Sequence, residues 1–374
     1  MEGANYDELW SDGVPTDILT SISSCLIAGD YFAFCAVCKR WRYASLLPPL
    51  PPPIYDSLWP YLMRLNAKTG IVEFFQPVYN AITHKMDIPK LRGSRIRSSK
   101  ANWLLVMSHD NRGMFFFNTK SNEIIELPDL LEETDNAFSA WTFSCPPDSS
   151  SDCFVVGFDM FSNHVCIIKV GESIWTYHRY INNPRSFMLF GCTNPVFFKN
   201  NTIWVLGDNG NLGILSIKEN SALETPTWEF HGKSLPCRKR RSLSQIYIAE
   251  DVDNGGILAV FLTHEEGKVE VWRYNMNGGV LEREQITSLN NKTLFVSFGA
   301  CYLKPCITRG LGNKIYFPML HDNNRGVFYC LASRKYYSFD YAANGAFSSS
   351  NYYKFMGQPK SSIWIELTPF PPHD

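Results

Sequence analysis

The sequence predicts a mainly β protein: a β-propeller preceded by a small α-helical module. Three observations predict it. Two short amphipathic segments with helical spacing lie near the N-terminus, in residues 14–42. A proline run, Pro48-Pro49-Leu50-Pro51-Pro52-Pro53, ends them. Beyond it, short aromatic and β-branched runs recur about every 53 residues, with Gly, Asn, Asp and Ser between them.

The first segment reads as a helix opening at Pro15. A proline suits a first helical turn, because its missing N–H has no partner there. Thr16 and Asp17 place polar and acidic groups where the helix dipole favours negative charge. Ile18, Ile22 and Leu26 fall at i, i+4 and i+8, with Leu19 beside them, and together predict one apolar stripe. Gly29 breaks the helix and Asp30 caps the next. The second helix carries Phe34, Val37, Cys38 and Trp41, with Lys39, Arg40 and Arg42 in its last turns. Roughly 35 residues bury too little surface for firm independent stability, so such a module gains from a partner covering its apolar faces.

The proline run cannot be helical and reads as an extended spacer. Boundaries follow at residues 8–47 for the helical domain, 48–54 for the linker and 55–370 for the β domain.

Strand-like runs in the β domain include Asn102–Met107, Met114–Asn118, Cys153–Phe158, Cys166–Val170, Thr202–Leu206 and Lys268–Tyr274. An aromatic or acidic closing strand recurs from residues 72, 124, 175, 228, 281 and 336, in steps of 52, 51, 53, 53 and 55. Such a unit, with four short strands, suits a propeller blade, which leaves only short, protected edges. The first unit, Tyr61–Gln76, shows only a hairpin. Two C-terminal runs, Tyr352–Met356 and Ser362–Leu367, are expected to join it and close the ring. That predicts six blades. Seven is the alternative, because residues 77–92 and 185–200 resist assignment. A pair of β-sandwiches gives no reason for the steady step.

Residue identities go further than periodicity. Trp10-Ser11-Asp12-Gly13-Val14-Pro15-Thr16-Asp17-Ile18-Leu19, followed by Val37-Cys38-Lys39-Arg40-Trp41-Arg42, closely resembles the F-box motif of plant proteins. Val14 replaces the usual Leu before Pro15, and Ala33 stands where an Arg is common. The β region is similar to the KIB-type (kink-suppressor) propeller domain of a plant F-box family. Trp103-Leu104-Leu105-Val106, Phe116-Phe117-Asn118, Leu127-Pro128, Asn201–Leu206, Gly267–Tyr274, Ser288–Phe298, Gly312–Phe317 and Trp364–Leu367 carry this, in that order.

The resemblance implies a non-catalytic, substrate-recruiting subunit of an SCF-type (cullin-RING) ubiquitin ligase. Val14, Pro15, Ile18, Leu19, Ile22, Leu26, Val37 and Trp41 would contact a Skp-type adaptor or support that contact, and the propeller would hold a protein target. Other readings are a propeller enzyme or small-ligand binder with a decayed F-box, and a scaffold that does not promote degradation.

Composition narrows the class. Of 374 residues, 45% are hydrophobic, enough for a sizeable core, and the formal net charge is −1. That balance argues against a general nucleic-acid or membrane-surface binder. No apolar run reaches the length of a transmembrane helix. The first residues carry Glu2, Asp7 and Glu8 rather than a basic and then apolar leader. Eleven cysteines without framework spacing fit free thiols in a reducing compartment, hence nucleus or cytoplasm.

No cofactor or metal is expected. Cys35 and Cys38 lack a second ligand pair, and the eight histidines are scattered. No metalloprotease, nucleophile-elbow or phosphate-loop motif occurs. Asp110-Asn111, Asp208-Asn209-Gly210 and Asp322-Asn323-Asn324 read as turns. The basic run Arg238-Lys239-Arg240-Arg241 reads as an inter-blade loop, with a nuclear localisation signal as the alternative.

Overall fold

A computed structural model describes residues 13–25, 34, 37–45, 59–77, 81–109, 112–131, 138–148, 152–159, 164–179, 194–198, 201–207, 210–218, 225–232, 243–263, 268–306, 311–321, 325–338, 346–347 and 362–367. The chain forms two units, a helical one within residues 1–59 and a β one within residues 60–370.

In the helical unit, α1 spans Thr16–Cys25 and α2 spans Lys39–Ser45. The Pro15 carbonyl accepts the first α1 hydrogen bond, from Leu19 N–H at 3.1 Å. The Cys38 carbonyl plays the same part for α2, accepting from Arg42 N–H at 3.1 Å. Cys38 therefore precedes α2 rather than lying inside a continuous helix from Asp30. Phe34 and Val37 are helical, but they stand outside α2. The proline linker and Leu26 lie outside the described residues.

The β unit is built as a six-bladed propeller, with 26 strands among the described residues. Blade 1 contains β1 (Tyr61–Asn66), β2 (Ile71–Gln76) and β3 (Ala81–Asp87), with β26 (Ser362–Ile365) inside β1. Blade 2 is β4 (Arg95–Lys100), β5 (Trp103–Met107), β6 (Met114–Asn118) and β7 (Ile124–Leu127). Blade 3 is β8 (Phe138–Phe143), β9 (Phe154–Asp159), β10 (His164–Lys169) and β11 (Thr176–Arg179). Blade 4 is β12 (Val196–Phe198), β13 (Thr202–Leu206), β14 (Leu212–Ser216) and β15 (Thr227–His231). Blade 5 is β16 (Leu243–Asp251), β17 (Gly256–Thr263), β18 (Val269–Asn277) and β19 (Val280–Ile286). Blade 6 holds β20 (Lys292–Ser297), β21 (Ala300–Pro305), β22 (Lys314–His321), β23 (Arg325–Cys330), β24 (Lys335–Ser338) and β25 (Ala346–Phe347), in the order β21-β20-β22-β23-β24-β25.

Successive inner strands touch around the ring, from β26 to β4, β8, β12, β16 and the β20–β21 hairpin, then back to β26. Among the described residues, every strand pair is antiparallel except β20–β22. In blade 6, β20 is thus inserted between β22 and β21. The displaced β21 reaches inward and touches β16, β26 and β4, three inner strands of other blades.

The core lies between blades. Leu104 and Val106 of β5 face blade 1, whereas Trp103, Leu105 and Met107 face blade 3. Val155 of β9 faces blade 2, and Phe154, Val156 and Phe158 face blade 4. Side chains alternate sides along a strand, so a strand covered on both faces is apolar throughout. The last interface, between blades 6 and 1, is aromatic: the Trp364 ring meets Phe295 edge-on at 5.0 Å and Tyr316 at 6.4 Å.

One expectation is corrected, and two unassigned stretches are resolved. Val72–Phe75 belongs to the third strand of its blade, not the outermost. The outermost strand is β3, inside the unassigned residues 77–92. Among the described residues, the C-terminal segment closes the ring with one strand, β26, paired to β1 in the register Leu62 to Trp364. Tyr352–Met356 lies outside the described residues. The other unassigned stretch, 185–200, contains β12.

Candidate functional site

Helix α1 has two apolar sides rather than one stripe. Leu19 is fully buried and clusters with Phe34 and Ala44, against which Val14 and Trp41 pack. The Phe34 and Trp41 rings lie 4.6 Å apart. Polar contacts fix this arrangement. Arg40 Nη2 donates to the Val14 carbonyl at 2.7 Å, and the Thr20 hydroxyl reaches the Ala44 carbonyl at 3.1 Å.

Ile18 and Ile22, one turn apart, face outward at 47% and 37% exposure, and Val37 is 59% exposed. Pro15 is also exposed. The sequence stripe had joined Ile18, Ile22 and Leu19. A rotation of about 100° per residue puts Leu19 on the inner side and leaves the isoleucines outside. The eight residues read from the sequence therefore divide: Val14, Leu19 and Trp41 are internal supports, Pro15, Ile18, Ile22 and Val37 are surface groups, and Leu26 is outside the described residues.

The propeller holds a cavity of about 260 Å³ at the centre of its ring. All six blades contribute: Lys100 from β4, Thr142 from β8, Val196 and Phe197 from β12, Glu250 from β16, Tyr302 and Lys304 from β21, and Glu366 just after β26. The inserted strand makes this pocket. The turn into β21 needs Gly299, whose φ is +79° and where a Cβ would stand 2.1 Å from the Arg97 carbonyl oxygen. The Ser98 hydroxyl donates to the Gly299 carbonyl at 2.8 Å, anchoring that turn on β4.

Charges in the cavity are unevenly satisfied. Lys304 and Glu366 form an ion pair. Lys100 Nζ donates to the Ser144 carbonyl at 2.7 Å and lies 6.0 Å from the centre of the Phe197 ring. Burial lowers the Lys100 pKa from its ordinary value, and the Glu250 carboxylate opposes that shift. Burial also pushes the Tyr302 phenol above its ordinary range, and its hydroxyl donates to the Ser99 carbonyl at 3.1 Å.

Sequence reasoning missed these residues. The available signal was a polar inner strand, Arg95-Ile96-Arg97-Ser98-Ser99-Lys100, among strands that are otherwise apolar, and Glu250 at the end of Ile246-Tyr247-Ile248-Ala249.

No cluster of three metal-binding side chains occurs among the described residues. Cys38, Cys145, Cys153, Cys166, Cys301, Cys306 and Cys330 form no disulfide. The basic run 238–241 and the turns at Asp110-Asn111, Asp208-Asn209 and 322–324 lie outside the described residues. No described helix is long and apolar enough to cross a membrane.

Comparison with known proteins accounts for both units. Residues 74–340 match the KIB1-4 beta-propeller family, and residues 12–51 match the F-box domain. The F-box/kelch-repeat protein At1g57790 of Arabidopsis thaliana is 27% identical over 337 residues, covering 88% of this chain and 89% of that protein. The F-box protein At4g00893 of the same plant is 26% identical over 364 residues, covering 95% and 84%. Among solved structures, a streptogramin B lyase aligns with a TM-score of 0.37 and 11% identity over 73% of this chain and 91% of that one, too loose a likeness to bear on chemistry. The matched propeller spans well over half of the chain, which thus belongs to the KIB1-4 β-propeller family and is a plant F-box protein with a propeller domain.

Proposed function

We propose that this chain is the substrate-recruiting subunit of an SCF-type cullin-RING ubiquitin ligase. Its helices dock a Skp-type adaptor, and its propeller holds a protein target. The observation that supports this best is the outward apolar set Pro15, Ile18, Ile22 and Val37 on a helical unit whose own small core is already filled by Leu19, Phe34 and Ala44. Full burial of a large aliphatic side chain contributes about 1.5–3 kcal/mol, so three of them can anchor an interface. Leu26 extends the same i, i+4 series and is assigned to the contact on spacing alone.

The chain itself does no covalent chemistry on this reading. Ubiquitin transfer belongs to other subunits, and the contribution here is effective concentration: a tethered target meets the charged conjugating enzyme as if in the same molecule. The site of action is nucleus, cytoplasm or both. No nucleic acid, membrane or cofactor takes part.

The test is affinity purification of the tagged full chain from plant cells, read by mass spectrometry. Adaptor and cullin are expected with the wild type and absent with Ile22→Asp. Proteins that accumulate and lose ubiquitin when the chain is removed are its targets. Retention of the cullin by Ile22→Asp and Val37→Asp alike would refute the docking surface.

A further inference from the structure

The central cavity has a charge pattern that adaptor docking does not use. Lys100 and Glu250 both line it, from inner strands of blades 2 and 5. They influence each other electrostatically, yet among the described residues they form no ion pair, and the Glu250 carboxylate has no hydrogen-bond partner. Lys100 has donated one N–H to Ser144, which leaves two. The other charges here, Lys304 and Glu366, neutralise each other directly.

A half-buried cation and a half-buried carboxylate held apart are incompletely compensated, because neither has gained the other as a partner. The missing group is one that bears both charges. Phe197 supplies an apolar wall, and the buried Thr142 supplies a hydroxyl. The volume, about 260 Å³, lies below the roughly 300–1,000 Å³ of drug-sized sites, so the occupant is small.

We propose that this cavity binds a small zwitterion of amino-acid type, its carboxylate on Lys100 and its ammonium on Glu250. Because the walls come from all six blades, the bound molecule ties the ring together and raises the stability of the propeller by mass action.

Purified full chain titrated by calorimetry and thermal melting tests this. The probes are glycine, β-alanine and γ-aminobutyrate, three zwitterions of increasing charge separation, with ethylamine and propionate as singly charged controls. At least one zwitterion should bind with about millimolar affinity or better and raise the melting temperature. Neither control should do so. Glu250→Gln and Lys100→Gln, checked for folding by circular dichroism, should each weaken binding by at least about tenfold. Glu250→Asp keeps the charge but withdraws it, and should weaken binding even if the glutamine variants fold poorly.

Absence of binding by all three zwitterions would overturn the proposal. So would equal binding of ethylamine, which would make Glu250 a plain amine site, or of propionate, which would make Lys100 a plain anion site. Ile22→Asp should bind the zwitterion as the wild type does, so failure of the adaptor reading stays separate from failure of this one.

Discussion

Ile18 and Leu19 are adjacent, similar in size and opposite in use. Leu19 is fully buried, and its truncation to Ala should destabilise the helical unit by about 2–5 kcal/mol, read as faster amide exchange across α1 and α2. Ile18→Ala should stay within about 0.5 kcal/mol of the wild type in the same measurement, because its side chain is already half in water. Cys153 shows the same dependence on surroundings. Burial pushes its thiol from the ordinary 9.0 up to about 12. A pKa raised on folding gives a stability contribution that is complete below the unfolded value and is lost as pH climbs toward the folded one. Unfolding free energy should therefore fall between pH 9 and 12, by up to about 1.4 kcal/mol per pH unit for this thiol. Cys153→Ser should show a shallower fall in urea titrations. The sequence gives the residue types here, but the side each takes depends on rotation about the helix and on what covers each face.

At the scale of the element, the strands were readable where burial is two-sided. Residues 154–158 and Trp103–Met107 are covered by both neighbouring blades, and such runs carry no charged or polar side chain. β3 and β12 escaped notice for the opposite reason. The first, Ala-Ile-Thr-His-Lys-Met-Asp, is an outer strand, and the second is only three residues long. The β20–β21 hairpin was not among the strand runs read from the sequence, and nothing local would distinguish its parallel neighbour from an antiparallel one. Packing against cross-strand partners within a blade also sets limits inside a strand. A Cβ at Gly157 would lie 2.7 Å from Cys166 Sγ and from the Trp141 ring, so Gly157→Ala should destabilise the propeller by about 1–3 kcal/mol in denaturant titrations.

For the whole molecule, closure is the controlling event. β26 brings the C-terminal region against β1, and Trp364 fixes it from three sides. Its indole N–H donates to the Val296 carbonyl at 3.0 Å, its backbone N–H donates to the Ser297 hydroxyl at 3.1 Å, and its carbonyl accepts from the Ser99 hydroxyl at 2.6 Å. One residue thus joins blades 1, 2 and 6. Trp364→Ala should cost about 3–5 kcal/mol, and removal of residues 362–374 should abolish cooperative unfolding, both followed by tryptophan fluorescence. The 53-residue step revealed the blade count because each blade repeats one physical problem, covering two faces of a short sheet. It put the first blade out of phase because that blade is assembled from both ends of the domain. The cavity was not legible, since its walls come from strands up to 268 residues apart, Ser98 and Glu366 among them.

The central claim is that the helical unit is a docking surface, and direct binding tests it. Full-length chain and purified Skp-type adaptor should associate in biolayer interferometry. Ile18→Asp combined with Ile22→Asp should weaken that association by at least about a hundredfold, with the propeller melting unchanged. Undiminished binding by the double variant, or no binding by the wild type, would contradict it.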